Sequence, residues 1–330
     1  MAHLSTLTAT LLDLAKRLDP NGKVQAIAEL LGETNEILAD MQWKEGNLLT
    51  GEKTTVRTGL PSSTWRKLNY GVQPSKSSTA QITDSCGMLE AYAEVDKALA
   101  DLNNNTAEFR LSEDRAFLEA MNQTLAYTLF YGNSGTQPEA FTGLSPRYAL
   151  STAASGANIV DGGSATGTNT SIWMVTWDPL TAYGIYPKGS KGGWSHEDKG
   201  QVTLFDTASP AGRFEGYRTH YKWDCGLTVR DWRYIVRIAN VDVPTLTKAA
   251  TAGADLIDLM TQALDVPPNE IGRRVFYCNR TILSFLRRQI QNKTVYNLTE
   301  ESVAGKRVVM FGGVPVRRCD QLLNTEAHVL

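Results

Sequence analysis

The chain has 330 residues, of which 42% are hydrophobic and 21% are charged, and its 33 basic and 35 acidic residues give a net charge of −2. This length suffices for one large domain, or for two to three smaller ones with cores of their own. The near-neutral charge argues against a general nucleic-acid-binding protein, the apolar content against a disordered chain, and the lack of any run of 18 apolar residues against a membrane span.

The first 45 residues predict a helical hairpin. Leucines spaced three and four residues apart follow one helix face from Leu4 to Leu18, and the Asp-Pro-Asn-Gly sequence at 19–22 provides a turn. A second apolar stripe runs from Val24 to Met41. Each stripe needs an apolar partner, and stripes this short are more typical of a docked helix pair than of a free coiled coil.

Residues 46–83 show little helical periodicity. The segment is rich in Ser, Thr, Gly and Lys, contains Pro61 and Pro74, and has too few large apolar residues for a core of its own. Loops of this length in compact domains are usually functional or disordered. We interpret the segment as an extended arm that becomes ordered by packing on a neighbour.

The longest predicted helix covers residues 106–131. Asn105 followed by Glu108 resembles a capping box at its start, and glycines at 132 and 135 end it. At about 1.5 Å per residue the helix would be roughly 39 Å long. Its apolar positions have helical spacing: Leu111, Leu118, Met121, Leu125 and Leu129.

The remainder mixes strands and helices, which predicts an α+β fold without internal repeats. Loops are expected at 143–169 and in the glycine-rich stretch 184–193. The predicted strands are 172–177, 201–205, 233–238, 274–278, 307–311 and 314–318. The predicted helices are 246–264 and 281–292.

Redox and metal-binding features are sparse. The four cysteines are far apart and form no Cys-X-X-Cys pair: Cys86, Cys225, Cys278 and Cys319. They predict isolated, reduced thiols in a cytoplasmic protein, and the first 17 residues lack the pattern of a secretory signal. Gly162 and Gly167 have the spacing of a phosphate-binding loop, but Thr168 stands where the lysine should be.

Histidines provide the remaining candidate chemistry. His196 is followed by a glutamate, as in the zinc-binding helix of metalloproteases, but the second histidine is missing and the residues lie in a predicted loop. His196 and His220 could form a metal site with Asp206 or Asp224. The sequence is more consistent with the other interpretation, in which these are ordinary loop and strand residues. We therefore predict no catalytic residues, no metal site and no cofactor.

Several segments resemble the major capsid proteins of tailed bacteriophages, which have the fold named after phage Hong Kong 97. The segments at 54–61 and 65–72 resemble that family's extended arm, and the predicted helix at 106–131 matches its long spine helix. Further similar segments follow in the family's order: FYGN at 130–133, FTGL at 141–144, WDCGL at 223–227, RIAN at 237–240 and FGGVPVRRCD at 311–320.

The resemblance implies four parts in the chain, whose order of connection varies within the family. These are an N-terminal helical arm at 1–45, an extended loop at 46–85, a peripheral domain with the spine helix at 86–240, and an axial domain with return strands at 241–330. It implies a non-enzymatic subunit that forms pentamers and hexamers of an icosahedral head, enclosing double-stranded DNA without sequence-specific contacts.

The resemblance also implies partners and a location. The first partner is the chain itself, and a cement or decoration protein, a portal and a separate scaffolding protein are further candidates. No membrane takes part. The location is the virion, after assembly in the cytoplasm of the bacterial host.

The charge pattern suggests how subunits meet. Residues 46–80 carry five basic residues and one acidic residue, whereas residues 81–131 carry three basic and nine acidic residues. Two solvated faces of one domain would explain this pattern, and so would complementary patches that meet across a subunit boundary. In the second interpretation, basic arm residues face acidic residues of the adjacent subunit: Arg57, Arg66 and Lys67 face Asp96, Asp101, Glu108 and Glu119.

Two other functions are compatible with the sequence. One is the shell protein of a nanocompartment that encloses enzymes, which packaged nucleic acid would distinguish from a phage coat. The other is a soluble hydrolase that uses dispersed residues such as His196, Asp198 and His220, which predicts a monomer or small oligomer.

Overall fold

The computed structural model describes residues 32–102, 106–206, 212–248, 253–292, 298–303 and 306–330. The first predicted N-terminal helix, its turn and residues 24–31 of the second predicted helix lie outside these residues. In the described part of the second helix, 32–41, the prediction is largely wrong, because only Ile37–Asp40 is helical. The chain divides into two compact units. The smaller includes Met88–Leu125 and Gly193–Asp224, and the larger includes Thr34–Gly87, Ala126–Gly192 and Cys225–Leu330. Within the described ranges, no helix has both the length and the apolar character needed to cross a membrane.

The chain combines a few helices with runs of consecutive strands in a mixed sheet, which confirms the α+β class. The helices are α1 (Ile37–Asp40), α2 (Lys97–Ala100), α3 (Thr106–Tyr131), α4 (Leu256–Asp265) and α5 (Arg280–Asn292). The strands are β1 (Trp43–Glu45), β2 (Gly51–Gly59), β3 (Ser78–Asp96), β4 (Ile159–Asp161), β5 (Asn169–Trp177), β6 (Ala182–Tyr186), β7 (Trp194–Phe205), β8 (Arg213–Val229), β9 (Ile235–Asp242), β10 (Arg273–Cys278), β11 (Leu298–Val303), β12 (Lys306–Phe311) and β13 (Val314–Arg318).

The larger unit is built on a mixed sheet. Its strand order is β11–β12–β13–β10–β5–β6–β8–β3–β2, while β1 pairs with β6, and β9 pairs with β4 and β5. Every residue of the central strand β5 is buried, because neighbouring strands cover its edges and other elements cover both faces. On one face Ile172 and Met174 join the apolar core with α4 and α5. On the other, Trp173 packs against Phe130 and Tyr148, with ring centroids 6.2 and 5.8 Å apart.

The smaller unit packs the first part of α3 on a ribbon of β3, β7 and β8. Phe109 is fully buried against Val95 and Ala100. Further along the helix, Met121 packs with Ala93 and Tyr221. Ala93 and Val95 are two positions apart on β3. Because the side chains of a strand alternate with a two-residue period, both lie on the face that meets the helix.

The predicted long helix is confirmed with the same bounds, Thr106–Tyr131. One of its predicted core positions is wrong, since Leu111 is 52% exposed and Phe109 occupies the buried face instead. The helix predicted at 246–264 begins later, at Leu256. Asp255 sets this start because its side chain accepts hydrogen bonds from the backbone N–H groups of Ile257 and Asp258.

Two predicted loops contain strands. Within the glycine-rich stretch, β6 is a largely buried strand in which Gly184 lies directly under the Trp43 ring, so that a side chain would collide with it. His196 lies on β7, not in a loop, and β7 pairs with β8 with a bulge between Asp198 and Gly200. The glycine content marked a close approach and a bulge, not the absence of strands.

Candidate assembly surfaces

The arm is a two-stranded hairpin with a long exposed tip. Strands β2 and β3 pair antiparallel from Gly51 opposite Ser85 to Arg57 opposite Thr79. Beyond these pairs, every residue of 60–77 is exposed. The tip carries large apolar side chains that no part of the described chain covers: Leu60, Trp65, Leu68 and Tyr70, which are 81, 101, 85 and 70% exposed. Exposed apolar surface concentrated in this way is typical of protein-interaction sites.

The three predicted basic residues lie on this arm. Arg57 is exposed near the end of β2, and Arg66 and Lys67 are exposed in the tip beside Trp65. None of the three has an ion-pair partner among the residues that the structure describes. Their charges are therefore available to another molecule.

The four predicted acidic residues lie in the smaller unit and are engaged to different degrees. Asp96 accepts a hydrogen bond from the backbone N–H of Ala98 and so caps α2. Asp101 and Glu119 also have local partners, whereas Glu108 is exposed on the first turn of α3. About 16 Å of helix separates Glu108 from Glu119. Glu108 is thus the most accessible of the four carboxylates.

The Asp101 carboxylate is held by Lys97. Lys97 Nζ donates to Asp101 Oδ2 at 2.6 Å and Thr106 Oγ1 donates to Oδ1 at 2.8 Å. These hydrogen bonds, that from Lys97 first, hold the pKa of Asp101 below its usual range. A lowered pKa means that the carboxylate stabilises the folded state above its unfolded pKa of about 3.9, and that this contribution is lost as the pH falls through the folded value.

We therefore expect Asp101→Asn to lower the melting temperature by a constant amount above about pH 5. The difference from wild type should shrink as the pH falls below about 4, because the wild-type carboxylate takes up its proton first in the unfolded state and only at lower pH in the folded state, whereas Asn does not titrate. Thermal unfolding between about pH 6 and pH 2 measures this. In a Lys97→Met background the effect of Asp101→Asn should be smaller at every pH, and a difference that grows on acidification would contradict the assignment.

Residues 34–45, which we call the strap, cross the sheet of the larger unit. Asp40 is 6% exposed, and its carboxylate lies 2.6 Å from Arg273 and 3.4 Å from Arg317. Tyr277 Oη donates to the same carboxylate at 3.2 Å, and burial, followed by the Asp40 charge, raises the pKa of this phenol. Strand β1 then continues the strap along β6. These contacts fix the segment from which the arm departs.

The C-terminal segment is anchored by a buried ion pair. Arg237 on β9 and Glu326 are 3 and 6% exposed, and Arg237 Nη2 lies 2.8 Å from Glu326 Oε2. Tyr131 and Ser171 also donate hydrogen bonds to Glu326. The Arg237 guanidinium lies over the ring of Trp173, with 5.1 Å to the ring centroid. Sequence analysis missed this network because its members are up to 195 positions apart.

The turn after the long helix explains two of the motifs singled out in the sequence. Gly143 N–H donates to the Gly132 carbonyl at 2.8 Å, and Leu144 N–H donates to the Leu129 carbonyl at 2.9 Å. A Cβ atom on Gly143 would collide with the carbonyl oxygens of Thr128 and Leu129. The glycines of FYGN and FTGL are thus required by a close backbone approach that caps the helix.

The histidine-based sites are not assembled. His196 is opposite Tyr221 and His220 is opposite Glu197, so the two histidines lie on opposite faces of the β7–β8 hairpin. His220 instead stacks on Tyr92, with ring centroids 4.4 Å apart, and its Nε2 lies 3.2 Å from Glu90. The described ranges contain no group of three or more His, Cys, Asp or Glu residues placed to hold a metal ion.

Comparison with known proteins gives a family and a close structural relative. The family model described as major capsid protein GP7 matches residues 19–330. A chain in the cryo-EM structure of bacteriophage epsilon15 is 41% identical, with a TM-score of 0.80 over 100% of this chain and 99% of that chain. No curated protein sequence matches the chain.

Two more distant structures complete the comparison. The capsid of bacteriophage JBD30 is 9% identical, with a TM-score of 0.48 over 89% of this chain and 92% of that chain. The SrpI encapsulin from Synechococcus elongatus is 11% identical, with a TM-score of 0.40 over 66% of this chain and 91% of that chain. Both scores are too low to bear on the fold, which the epsilon15 match supports over the full length.

The family model over residues 19–330 and the full-length epsilon15 match lead to the same identification. The resemblance to Hong Kong 97-like coats is confirmed, and neither the nanocompartment nor the hydrolase is favoured. The chain belongs to the major capsid protein GP7 family and is a structural subunit of a phage head.

Proposed function

We propose that this subunit assembles into pentamers and hexamers of an icosahedral head, and that the arm makes the contacts between neighbours. The observation that carries the proposal is the exposed apolar tip, in which Trp65 is fully exposed and Leu68 is 85% exposed. Exposed apolar side chains of this kind do not stabilise the fold of an isolated subunit. Contact with a second copy would bury them, and the closed symmetry of a shell repeats that contact at every subunit.

Within this proposal, residues 46–85 are the extended loop, 1–45 the N-terminal arm, 86–240 the peripheral domain and 241–330 the axial domain. Arg57, Arg66 and Lys67 face the acidic residues of the adjacent subunit. Glu108 is the best-supported acidic partner because it is exposed on α3. Asp96, Asp101 and Glu119 contribute charge to the same surface while they hold their local hydrogen bonds.

We expect the double variant Arg66→Glu/Lys67→Glu to raise the critical concentration for shell assembly about tenfold, which corresponds to ~1.4 kcal/mol per subunit. The physical reason is that attraction to the acidic surface becomes repulsion. The defect should diminish as salt rises, because exposed charges are screened over about 10 Å at 0.1 M salt. Light scattering over a range of protein and salt concentrations measures it.

Two variants serve as controls for this experiment. Lys188→Glu/Lys191→Glu makes the same charge change at exposed lysines outside the arm and should assemble as wild type does. Adding Glu108→Lys to the arm variant should restore part of the assembly. Normal shell formation by Arg66→Glu/Lys67→Glu at every salt concentration would rule out the charge contact.

The enclosed molecule and the partners follow from the same proposal. The shell would hold double-stranded DNA without reading its sequence, consistent with the net charge of −2. A portal, a separate scaffolding protein and a cement protein are the proposed partners, with assembly in the host cytoplasm. Within this family, the sequence resembles in particular the coat of a short-tailed phage that infects Bordetella, and this finer resemblance is part of the proposal.

A further inference from the structure

The root of the arm contains two buried carboxylates that oppose each other. Glu52 on β2 is paired with Asp84 on β3 in the antiparallel register, and the two residues are 5 and 6% exposed. Residues paired in this way have Cβ atoms about 4.5–5.5 Å apart on one face of the sheet, and like charges there repel. The position therefore needs positive charge or hydrogen-bond donors for both side chains.

Protein groups satisfy one oxygen of each carboxylate. Tyr183 Oη donates to Glu52 Oε1 at 2.7 Å, and Lys44 Nζ lies 3.9 Å from the same oxygen. Arg147 Nη2 donates to Asp84 Oδ1 at 2.7 Å. Arg147 also donates to the backbone carbonyls of residues 142, 143 and 227, which holds the guanidinium in place. These contacts orient both carboxylates.

The other oxygen of each carboxylate is buried and uncommitted. Among the residues that the structure describes, Glu52 Oε2 and Asp84 Oδ2 have no hydrogen-bond partner. The hydroxyl of Thr54, which is 5% exposed, has none there either. Thr54 follows Glu52 by two positions on β2, so both side chains lie on the same face. Three buried oxygen atoms without partners thus share one face at the root of the arm.

We propose that Glu52, Asp84 and Thr54 form a binding site for a divalent cation of the Ca²⁺ or Mg²⁺ type. Such cations bind carboxylate and hydroxyl oxygens and complete their coordination with water. A double positive charge between the two carboxylates removes their repulsion and satisfies the uncommitted oxygens. Arg147 and Lys44 reduce the local negative charge, so the dissociation constant is expected on the order of 10⁻³ M, as in other weak sites.

The cation would clamp β2 to β3 at the root of the arm, next to the Gly51–Ser85 pair and at the opposite end of the hairpin from the exposed tip. This inference goes beyond the assembly proposal and does not depend on it, because all the residues involved belong to one subunit. It assigns the arm a local stabilising ligand. A result that rules out the cation site would leave the proposed contact between arm and neighbour unaffected. A result that rules out the arm contact would likewise leave the cation site unaffected.

Thermal unfolding of the purified full-length protein tests the site. CaCl₂ at about ten times the dissociation constant should raise the melting temperature by about 2–4 °C relative to NaCl of equal ionic strength. Tb³⁺ offers a second readout, since it replaces Ca²⁺ and is excited through a nearby tyrosine, here Tyr183. Tb³⁺ luminescence should appear on addition and decrease when Ca²⁺ competes.

The variants separate this site from unspecific binding. Glu52→Gln should abolish both responses, and Thr54→Val, which leaves both carboxylates with their present partners, should weaken cation binding severalfold. Glu270→Gln removes a carboxylate whose side chain is 91% exposed and should respond as wild type does. If a water molecule rather than a cation bridges the three oxygens, wild type will respond no more to CaCl₂ or MgCl₂ than to NaCl, and this result overturns the proposal. A Glu52→Gln response equal to that of wild type overturns it as well.

Discussion

Replacing Trp65 and Leu68 by serine is expected to abolish shell formation and to leave the folded subunit intact. Both side chains are almost completely exposed in the subunit, so their loss should change the free energy of unfolding by less than about 0.5 kcal/mol. In the shell, each would be buried against a neighbour and contribute about 1.5–3 kcal/mol. Loss of both contributions at every subunit contact should leave too little binding free energy for a weak, repeated interface to form.

The experiment compares particle yield and subunit stability in the same preparations. Sedimentation should show subunits instead of particles for Trp65→Ser/Leu68→Ser, with an unchanged urea unfolding curve. The matched control is Leu150→Ser/Leu180→Ser, which replaces two leucines outside the arm that are 52 and 61% exposed. Normal particles from the arm variant would show that the tip does not hold subunits together.

Glu326→Ala is expected to lower the free energy of unfolding by about 3–5 kcal/mol. The variant leaves the Arg237 guanidinium, which is 3% exposed, without a counter-charge, and uncompensated buried charges are among the most costly changes in a protein core. It also removes the acceptor for Tyr131 and Ser171. The C-terminal segment would then separate from the sheet under milder conditions than the rest of the larger unit.

Urea unfolding of the purified subunit measures this effect, and two further variants interpret it. Arg233→Met breaks an ion pair with Asp231 in which the arginine side chain is 55% exposed, and it should cost less than about 1 kcal/mol. Arg237→Met/Glu326→Leu replaces both buried charges and should cost less than Glu326→Ala alone. Equal losses for Glu326→Ala and Arg233→Met would contradict the buried-charge explanation.

Local sequence patterns predicted the elements that depend on local physics. The helix Thr106–Tyr131 was predictable because its apolar residues repeat at helical spacing and glycines follow it. The strands β5, β10 and β13 were predictable because apolar and β-branched residues are concentrated in short runs. The arm was predictable as an extended segment because it lacks the large apolar residues that a core requires.

The failures have nonlocal causes. Gly184 indicated a loop, yet it belongs to a buried strand in which Trp43, 141 positions earlier, takes the space of a side chain. Leu111 fitted the apolar stripe, but Phe109 fills the core at that turn. The pair Glu52 and Asp84 could not be found from sequence, since only the β2–β3 register places these carboxylates opposite each other.

The central claim is that this subunit closes into a shell with its own copies. Light scattering combined with electron microscopy of the purified wild-type protein, alone and co-expressed with its neighbouring phage genes, tests it most directly. We predict closed particles in the megadalton range, or rings of five and six subunits. A monomer of 36.2 kDa at every protein and salt concentration, with or without those genes, would contradict the claim.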